Sequence, residues 1–303
     1  MISNNKLGGF IERINGDFRP ITADIFLTDY CNARCGYCRY SHETGKYIGL
    51  DEFKTYVHRL IKLGVRGFIL TGGGEPTINP DFDRIVEYLE KNNLPYGMNT
   101  NLIKRIECAP VFLKVSIDAG RAERYRAIRG VDKLGVVLDN LKYFIEHKKR
   151  KGLNTKVGVQ CVATNKEDVL SFYHAIKDVA VDYIYVRPLE QLGGGDISEI
   201  EVRQWLNGIE DARINISFKF GLRDYKPKRC YACWSVITVN SDGNVPYCCH
   251  HPNLIVGHIL DEDILQKKMR FNVDMAKCEV PCRLSGANHY LEMVPREIDA
   301  FFV

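Results

Sequence analysis

The sequence predicts an α/β fold built on a parallel sheet, and two patterns carry that reading. Short apolar runs of strand length alternate with segments whose apolar residues recur at helical spacing. With a short connection in place of the third helix, six such strands follow one another over residues 23–186, about 32 residues apart on average. That is the length of a strand plus its crossover helix, so consecutive strands run the same way. A third observation divides the chain. From Cys230 onward the sequence is dense in cysteine, and a small second unit is expected over residues 222–303. Periodicity alone leaves open whether the sheet curls into a partial barrel or stays doubly wound.

The elements can be taken in order. Residues 1–20 are polar, with Gly8-Gly9 and a candidate turn at Asn15-Gly16, and residues 1–22 read as a lead-in. A first strand is expected at residues 23–28, delivering the loop that follows at its carboxyl end, where α/β folds place their sites. A helix over 51–63 shows one apolar face (Phe53, Val57, Leu60, Ile61) and ends at Gly64. Residues 67–70 form a buried strand running into Thr71-Gly72-Gly73-Gly74-Glu75-Pro76. Phe82, Ile85, Val86 and Leu89 mark the next helix. Strands three and four are expected at 96–100 and 112–117, joined by a short connection containing Cys108. Leu134, Leu138, Leu141 and Ile145 give strand four its helix, whose basic end (148–151) complements the helix dipole. Strand five spans 156–163, Val169, Phe172, Tyr173 and Ile176 mark its helix, and strand six spans 183–186. Gly193-Gly194-Gly195 then reads as a loop, and Ser198-x-x-Glu201 as a capping box opening a helix through Trp205 and Ile209.

Composition narrows the class of protein. At 303 residues the chain can bury one large core with a small satellite. Its net charge of +4 neither demands nor excludes a phosphate-tracking surface. No apolar run reaches transmembrane length, and the start lacks the layout of a signal peptide. Eleven cysteines in a long chain rich in helix and strand patterns, odd in number and clustered, favour metal ligation in a reducing cytoplasm over a disulfide scaffold.

The most informative stretch is Cys31-Asn32-Ala33-Arg34-Cys35-Gly36-Tyr37-Cys38. Three thiolates on one short loop can each hold one iron of a cubane, leaving the fourth iron open to a small ligand. A closed zinc site wants four ligands, usually in CxxC pairs, and this triplet has the wrong spacing. CxxxCxΦC, with Tyr37 before the last cysteine, resembles the signature of the radical S-adenosylmethionine (SAM) enzymes. The resemblance implies a (β/α)6 partial TIM barrel over residues 23–221, a [4Fe–4S] cluster on Cys31, Cys35 and Cys38, and SAM chelated by the open iron.

Further stretches fit that family at successive strand ends. Gly72-Gly73-Gly74-Glu75 matches its GGE element: consecutive glycines let the backbone approach a ligand closely, and a carboxylate can pair with the ammonium of SAM. A plain strand-to-helix turn uses glycines too. Thr100 follows strand three, where the family places residues near the adenosine, although Leu102 stands where a glycine is common. Ser116 lies in a segment resembling the family's fourth strand, whose serine approaches the ribose or the methionine carboxylate. Asn165 stands just past strand five, where it also suits a helix N-cap. Tyr37 completes the cofactor-binding set that the resemblance implies.

Toward the C-terminus, Cys233, Gly243 and Cys248 make a Cx9Gx4C arrangement. Residues 236–239 and 245–247 flank Ser241-Asp242-Gly243-Asn244 and read as a β-hairpin with an Asp-Gly turn. Cys278 and Cys282 follow after an amphipathic stretch around Ile264 and Leu265. This resembles the SPASM/twitch domains, which hold an auxiliary [4Fe–4S] cluster, and their small twitch form fits the length: a β-hairpin plus helix. The resemblance favours Cys233, Cys248, Cys278 and Cys282 as ligands. A set of Cys230, Cys233 and Cys248 with an open iron, as in the molybdenum-cofactor GTP cyclases, is the alternative. Zinc is the plainer reading of the same thiolates. The downstream pair is CxxxC rather than CxxC, and Cys230 and Cys249 are extra; either is a candidate hydrogen donor to a substrate radical, or a bystander.

What the family implies for activity is an enzyme. An electron from flavodoxin or ferredoxin cleaves SAM to methionine and a 5′-deoxyadenosyl radical, which takes a hydrogen atom from a polar substrate. Dehydrogenation, epimerisation and rearrangement are the net reactions expected, aided by the auxiliary cluster. Modification of a ribosomal peptide or a nucleic-acid base is the alternative, and the short stretch before strand one lowers the peptide reading. Arg187 and Glu190 face the expected substrate mouth, or form a structural salt bridge. A non-catalytic iron–sulfur or zinc protein on the same scaffold is the reading from another class; the intact Cys triplet, Glu75 and Ser116 argue against it.

Overall fold

The structure is a computed structural model that describes residues 19–40, 45–190, 197–217, 228–271, 273–275, 278, 282, 288, 289 and 292. Most of the expected lead-in, the Gly193-Gly194-Gly195 loop and the boundary near residue 222 lie outside the described residues.

Eight strands form one sheet in the order β7-β6-β5-β4-β3-β2-β1-β8, every neighbouring pair parallel. They are β1 (Thr22–Phe26), β2 (Gly67–Thr71), β3 (Tyr96–Thr100), β4 (Phe112–Ser116), β5 (Lys156–Val162), β6 (Tyr183–Arg187), β7 (Ile214–Ile216) and β8 (Val236–Val239). No pairing joins β7 to β8 among the described residues, so the sheet is the open wall of a partial TIM barrel. Its crossovers carry α1 (Leu50–Lys62), α2 (Phe82–Lys91), α3 (Ala122–Arg129), α4 (Leu134–Lys151), α5 (Lys166–Ile176) and α6 (Glu199–Trp205). As the connection length required, no helix separates β3 from β4.

The helical faces read from the sequence are the buried ones. Phe53, Val57 and Leu60 of α1 and Phe82, Ile85, Val86 and Leu89 of α2 join one continuous core with Ile25, Leu70, Met98, Leu113 and Val159 of the strands. Ile61 of α1, by contrast, is exposed. Helix α6 opens with the expected capping box, in which Ser198 and Glu201 satisfy each other's backbone amides.

The cysteine-rich end departs from expectation in its pairing. The Asn240–Asn244 turn forms, with Gly243 at φ +77° and Asn240 accepting from its amide. Yet Val236–Val239 leaves the turn for the main sheet, pairing in parallel with β1, while the hairpin forms one strand later between β9 (Asn244–Cys248) and β10 (His251–His258). The reason is burial. All four residues of β8 are buried, which suits a strand covered on both faces and covers the exposed edge of β1. Helix α7 (Ile264–Arg270) follows where the amphipathic stretch predicted one.

Candidate active site

Strand β1 delivers the cysteine loop, and the end of α3 grips it. The amides of Arg34 and Gly36 donate to the carbonyls of Arg129 and Ile128 at 2.8 and 3.1 Å, satisfying the orphan carbonyls of a helix C-terminus. Gly130 permits this approach: it sits at φ +68°, and a Cβ there would lie 2.6 Å from the Arg34 carbonyl oxygen. Within the loop the Cys38 amide donates to the Cys35 carbonyl at 3.0 Å.

Burial pushes the Cys31 thiol up to about 11, with the neighbouring Glu75, Cys35 and Cys38 adding to it, and raises Cys38 in the same way. Protonated in free water at neutral pH, these thiols would release their protons to solvent on binding a metal. Among the described residues no three Cys, His or carboxylate groups converge as a single-ion site. A cubane takes its thiolates at separate corners, one per iron, and a triplet leaves the fourth corner open. Two donors already reach the sulfurs: Asn101 Nδ2 to Cys31 Sγ at 3.8 Å and Arg129 Nη1 to Cys35 Sγ at 3.2 Å.

The glycine segment after β2 is zipped onto the start of that loop. Gly74 and Glu75 donate their amides to the carbonyls of Thr28 and Tyr30, each at 2.9 Å. A Cβ on Gly74 would lie 1.8 Å from the Tyr30 oxygen, and one on Gly72 would lie 1.5 Å from the Gly74 oxygen, so close approach demands glycine at both. Gly73 is freer, its nearest neighbour Phe26 being 3.6 Å from a built Cβ.

Glu75, 3% exposed, is already well supplied with donors. Its Oε1 accepts from the Thr100 hydroxyl at 2.6 Å and the Thr77 hydroxyl at 2.8 Å, and its Oε2 from the Asn101 amide at 2.7 Å. Burial raises its carboxyl despite those bonds. Thr100 therefore faces Glu75, and the pair locks the end of β3 to the glycine turn. Leu102, where the family commonly has glycine, holds φ +55°, a left-handed backbone that disfavours a side chain.

Tyr37, Asp118 and Arg129 form a second knot against the loop. The Tyr37 hydroxyl donates to Asp118 Oδ2, and the same oxygen lies 2.6 Å from Arg129 Nε. Ser116 closes β4, half-buried, opposite Gln160 of β5. Asn165 acts as the N-cap of α5, accepting from the Asp168 amide at 2.8 Å and donating to Asp168 Oδ2 at 2.6 Å. Both its polar ends are thus engaged in the cap.

The downstream cysteines gather at one place. Cys230, Cys233, Cys248, Cys249, Cys278 and Cys282 line a single cavity with Tyr247 and His251. Burial opposes a thiolate at Cys233, but a hydrogen bond with Cys230 and the charge of Lys268 bring its pKa below the usual thiol value. Cys230 is held high by that same hydrogen bond and by burial. Glu190 lies 3.8 Å from Arg187 Nη1 and 3.7 Å from His250 Nδ1.

Residues 25–176 match the family described as the Radical SAM superfamily, which spans β1 through the end of α5. The chain belongs to the radical SAM superfamily. Enzymes of this superfamily bind a [4Fe–4S] cluster and SAM. A probable GTP 3′,8-cyclase of Thermococcus kodakarensis is 32% identical over 46% of this chain and 48% of its own. A GTP 3′,8-cyclase of Photorhabdus laumondii is 28% identical over 57% of this chain and 56% of its own. The chain thus spans about half the length of such curated relatives. Among solved structures, Streptococcus suis SuiB bound to its precursor peptide SuiA matches with a TM-score of 0.65 at 15% identity, over 90% of this chain and 72% of that one. The anSMEcpe structure with bound AdoMet matches at 0.61 and 18%, over 88% and 84%. At such identities these two report the fold.

Sequence reading passed over Arg129 and the role of Asp118. Helix α3 buries only Tyr125 and Arg129 along a highly charged segment, so no apolar stripe announced it.

Proposed function

We propose that this radical SAM enzyme cleaves SAM reductively and uses the 5′-deoxyadenosyl radical to take a hydrogen atom from a polar substrate, aided by an auxiliary [4Fe–4S] cluster. The observation that carries the reading is the junction of Cys31–Cys38 with Gly72–Glu75, two segments bonded to each other through Thr28 and Tyr30. When bound, the loop cluster supplies one electron at low potential; a flavodoxin- or ferredoxin-type protein is its proposed source. The chain's own part is positional: Gly72, Gly73 and Gly74 clear the backbone for the methionine end of SAM, Glu75 and Thr100 hold that turn rigid, and Tyr37 and Ser116 border the same strand ends. Asn165 belongs to this set only at its margin, since its side chain caps α5.

For the auxiliary cluster we favour Cys233, Cys248, Cys278 and Cys282, within a twitch-like unit over residues 222–303 whose strand β8 completes the core sheet. That all six downstream cysteines line one cavity supports a cluster there. Cys230 and Cys249 are then spare, and either can return a hydrogen atom to a substrate radical. The thiol-rich sites accord with a reducing, cytoplasmic setting. No helix among the described residues is long and apolar enough to cross a membrane.

Relatives named GTP 3′,8-cyclase make a nucleotide the first substrate to test, and a rearrangement the first outcome. A ribosomal peptide is the second, prompted by the peptide-bound SuiB.

The test is anaerobic reconstitution followed by dithionite and SAM, with 5′-deoxyadenosine measured by mass spectrometry. Wild-type protein is expected to form it and the Cys35→Ala variant not to. Equal yields from both would overturn the reading. Iron and sulfide analysis tests the second site: about eight irons per chain are expected for two cubanes, and about four with one zinc would remove the auxiliary cluster.

A further inference from the structure

Arg129 is a cation with unusual surroundings. Its side chain is 8% exposed, at the end of α3 beneath the cysteine loop. Burial works against its charge, but Asp118, and then Tyr37 and Cys35, hold the guanidinium protonated. Nε lies 2.6 Å from Asp118 Oδ2, and Nη1 donates to Cys35 Sγ at 3.2 Å. Nη2 is buried and has no hydrogen-bond partner among the described residues. A leftover donor on a buried guanidinium is costly unless an acceptor meets it in the assembled enzyme. Asp118 is fixed in turn by the Tyr37 hydroxyl and by the Val162 amide at 3.0 Å. The carboxylate therefore cannot swing away and take the guanidinium with it.

We propose that Arg129 is the positioning residue of the loop cluster: its N–H···S bond to Cys35 and its buried charge favour the reduced state. The inference rests on the family's cluster occupying the Cys31, Cys35 and Cys38 thiolates. One-electron reduction would add a negative charge to a cluster that three thiolates would already make anionic. A fixed cation 3.2 Å from one ligand sulfur stabilises that added charge more than it stabilises the oxidised state. Hydrogen bonds to cluster sulfurs act in the same direction. The knot from Tyr37 through Asp118 to Arg129 is then a strut that sets the donor before the cluster arrives.

The test is an EPR-monitored redox titration of reconstituted wild-type, Arg129→Lys, Arg129→Met and Asp118→Asn/Arg129→Met proteins, each with its iron content measured. At a fixed solution potential, the reduced-to-oxidised ratio is expected to fall about tenfold in the two methionine variants, a shift of 59 mV for one electron. Lysine keeps the cation and is expected to restore the ratio to within about threefold of wild type. Full iron with an unchanged ratio in either methionine variant would overturn the proposal. A second measurement needs no variant to fold. In wild-type protein labelled with guanidino-15N arginine, pulsed EPR of the reduced cluster is expected to show a 15N coupling, and its absence would equally overturn it. Failure of the wild type to form a loop cluster at all would instead remove the functional reading beneath it.

Discussion

Tyr40 donates its hydroxyl to the backbone carbonyl of Cys249 at 2.8 Å, joining the two cysteine regions through one hydrogen bond. Its ring packs edge-on against Phe26 of β1, with centroids 5.3 Å apart. The residue two places past Cys38 thus anchors the turn of the β9–β10 hairpin. Replacing Tyr40 with Phe keeps the ring contact and removes the bond. A half-buried hydrogen bond contributes about 1 kcal/mol. The Cys249–His251 amides are expected to exchange roughly fivefold faster, as read by hydrogen–deuterium exchange. An unchanged rate there would show that the hairpin turn is held by other contacts.

The glycine turn gives a paired prediction. A Cβ on Gly74 would lie 1.8 Å from the Tyr30 oxygen, whereas one on Gly73 meets nothing nearer than 3.6 Å. Gly74→Ala must prise the turn from the cysteine loop and is expected to cost more than about 2 kcal/mol, lowering Tm by more than about 4 °C. It is also expected to lose iron on reconstitution, because Tyr30 directly precedes Cys31. Gly73→Ala is expected to keep its Tm within about 1 °C. Calorimetry and iron analysis on the two variants decide it.

These contrasts show where sequence sufficed. Strands one to six, the α1 and α2 faces, the Ser198 cap and the cysteine–glycine junction were legible because each is local: a period, a cap or a motif at a strand end. Residues 236–239 misled because an Asp-Gly turn signals a change of direction, not which neighbour a strand pairs with. That choice was made by β1, distant in sequence, whose edge needed cover. Arg129 was hidden for a different reason. Its value lies in Asp118 and Cys35, reached across the sheet from a helix too charged to show a face.

Asp168 supplies a pH test. Burial raises its carboxyl, but Arg124, bonded at 2.9 and 2.7 Å, and then Asn165 and Thr164 bring it below the usual aspartate value. A carboxyl depressed in the folded state contributes stability that is complete above the unfolded pKa, about 3.9, and is lost as pH falls through the folded value. Arg124 is 42% exposed, so solvent discounts the pair. Asp168→Asn is expected to cost about 1–2 kcal/mol at pH 7 by urea unfolding. The gap between variant and wild type should narrow below about pH 4. A gap that widened on acidification would contradict the assignment.

Lys268 tests the second cysteine site. It is 1% exposed on α7, with Nζ near the carbonyls of Pro246 and Tyr247 and 5.7 Å from the Tyr247 ring centre. Its charge acts on both Cys233 and Cys248, lowering the thiol pKa of each against burial, although Cys248 stays high on balance. A buried ammonium held by carbonyls gains most from an anionic neighbour, and the four thiolates of the proposed auxiliary cluster would provide one. Lys268→Met keeps the length of the stem and removes the charge. Its reconstituted iron is expected to drop from about eight toward about four per chain, with the loop cluster intact by EPR. Lys268→Arg, which keeps the cation, is expected to recover at least half of the lost iron. Full iron in the methionine variant would mean that the six thiols assemble their site without a buried counter-charge.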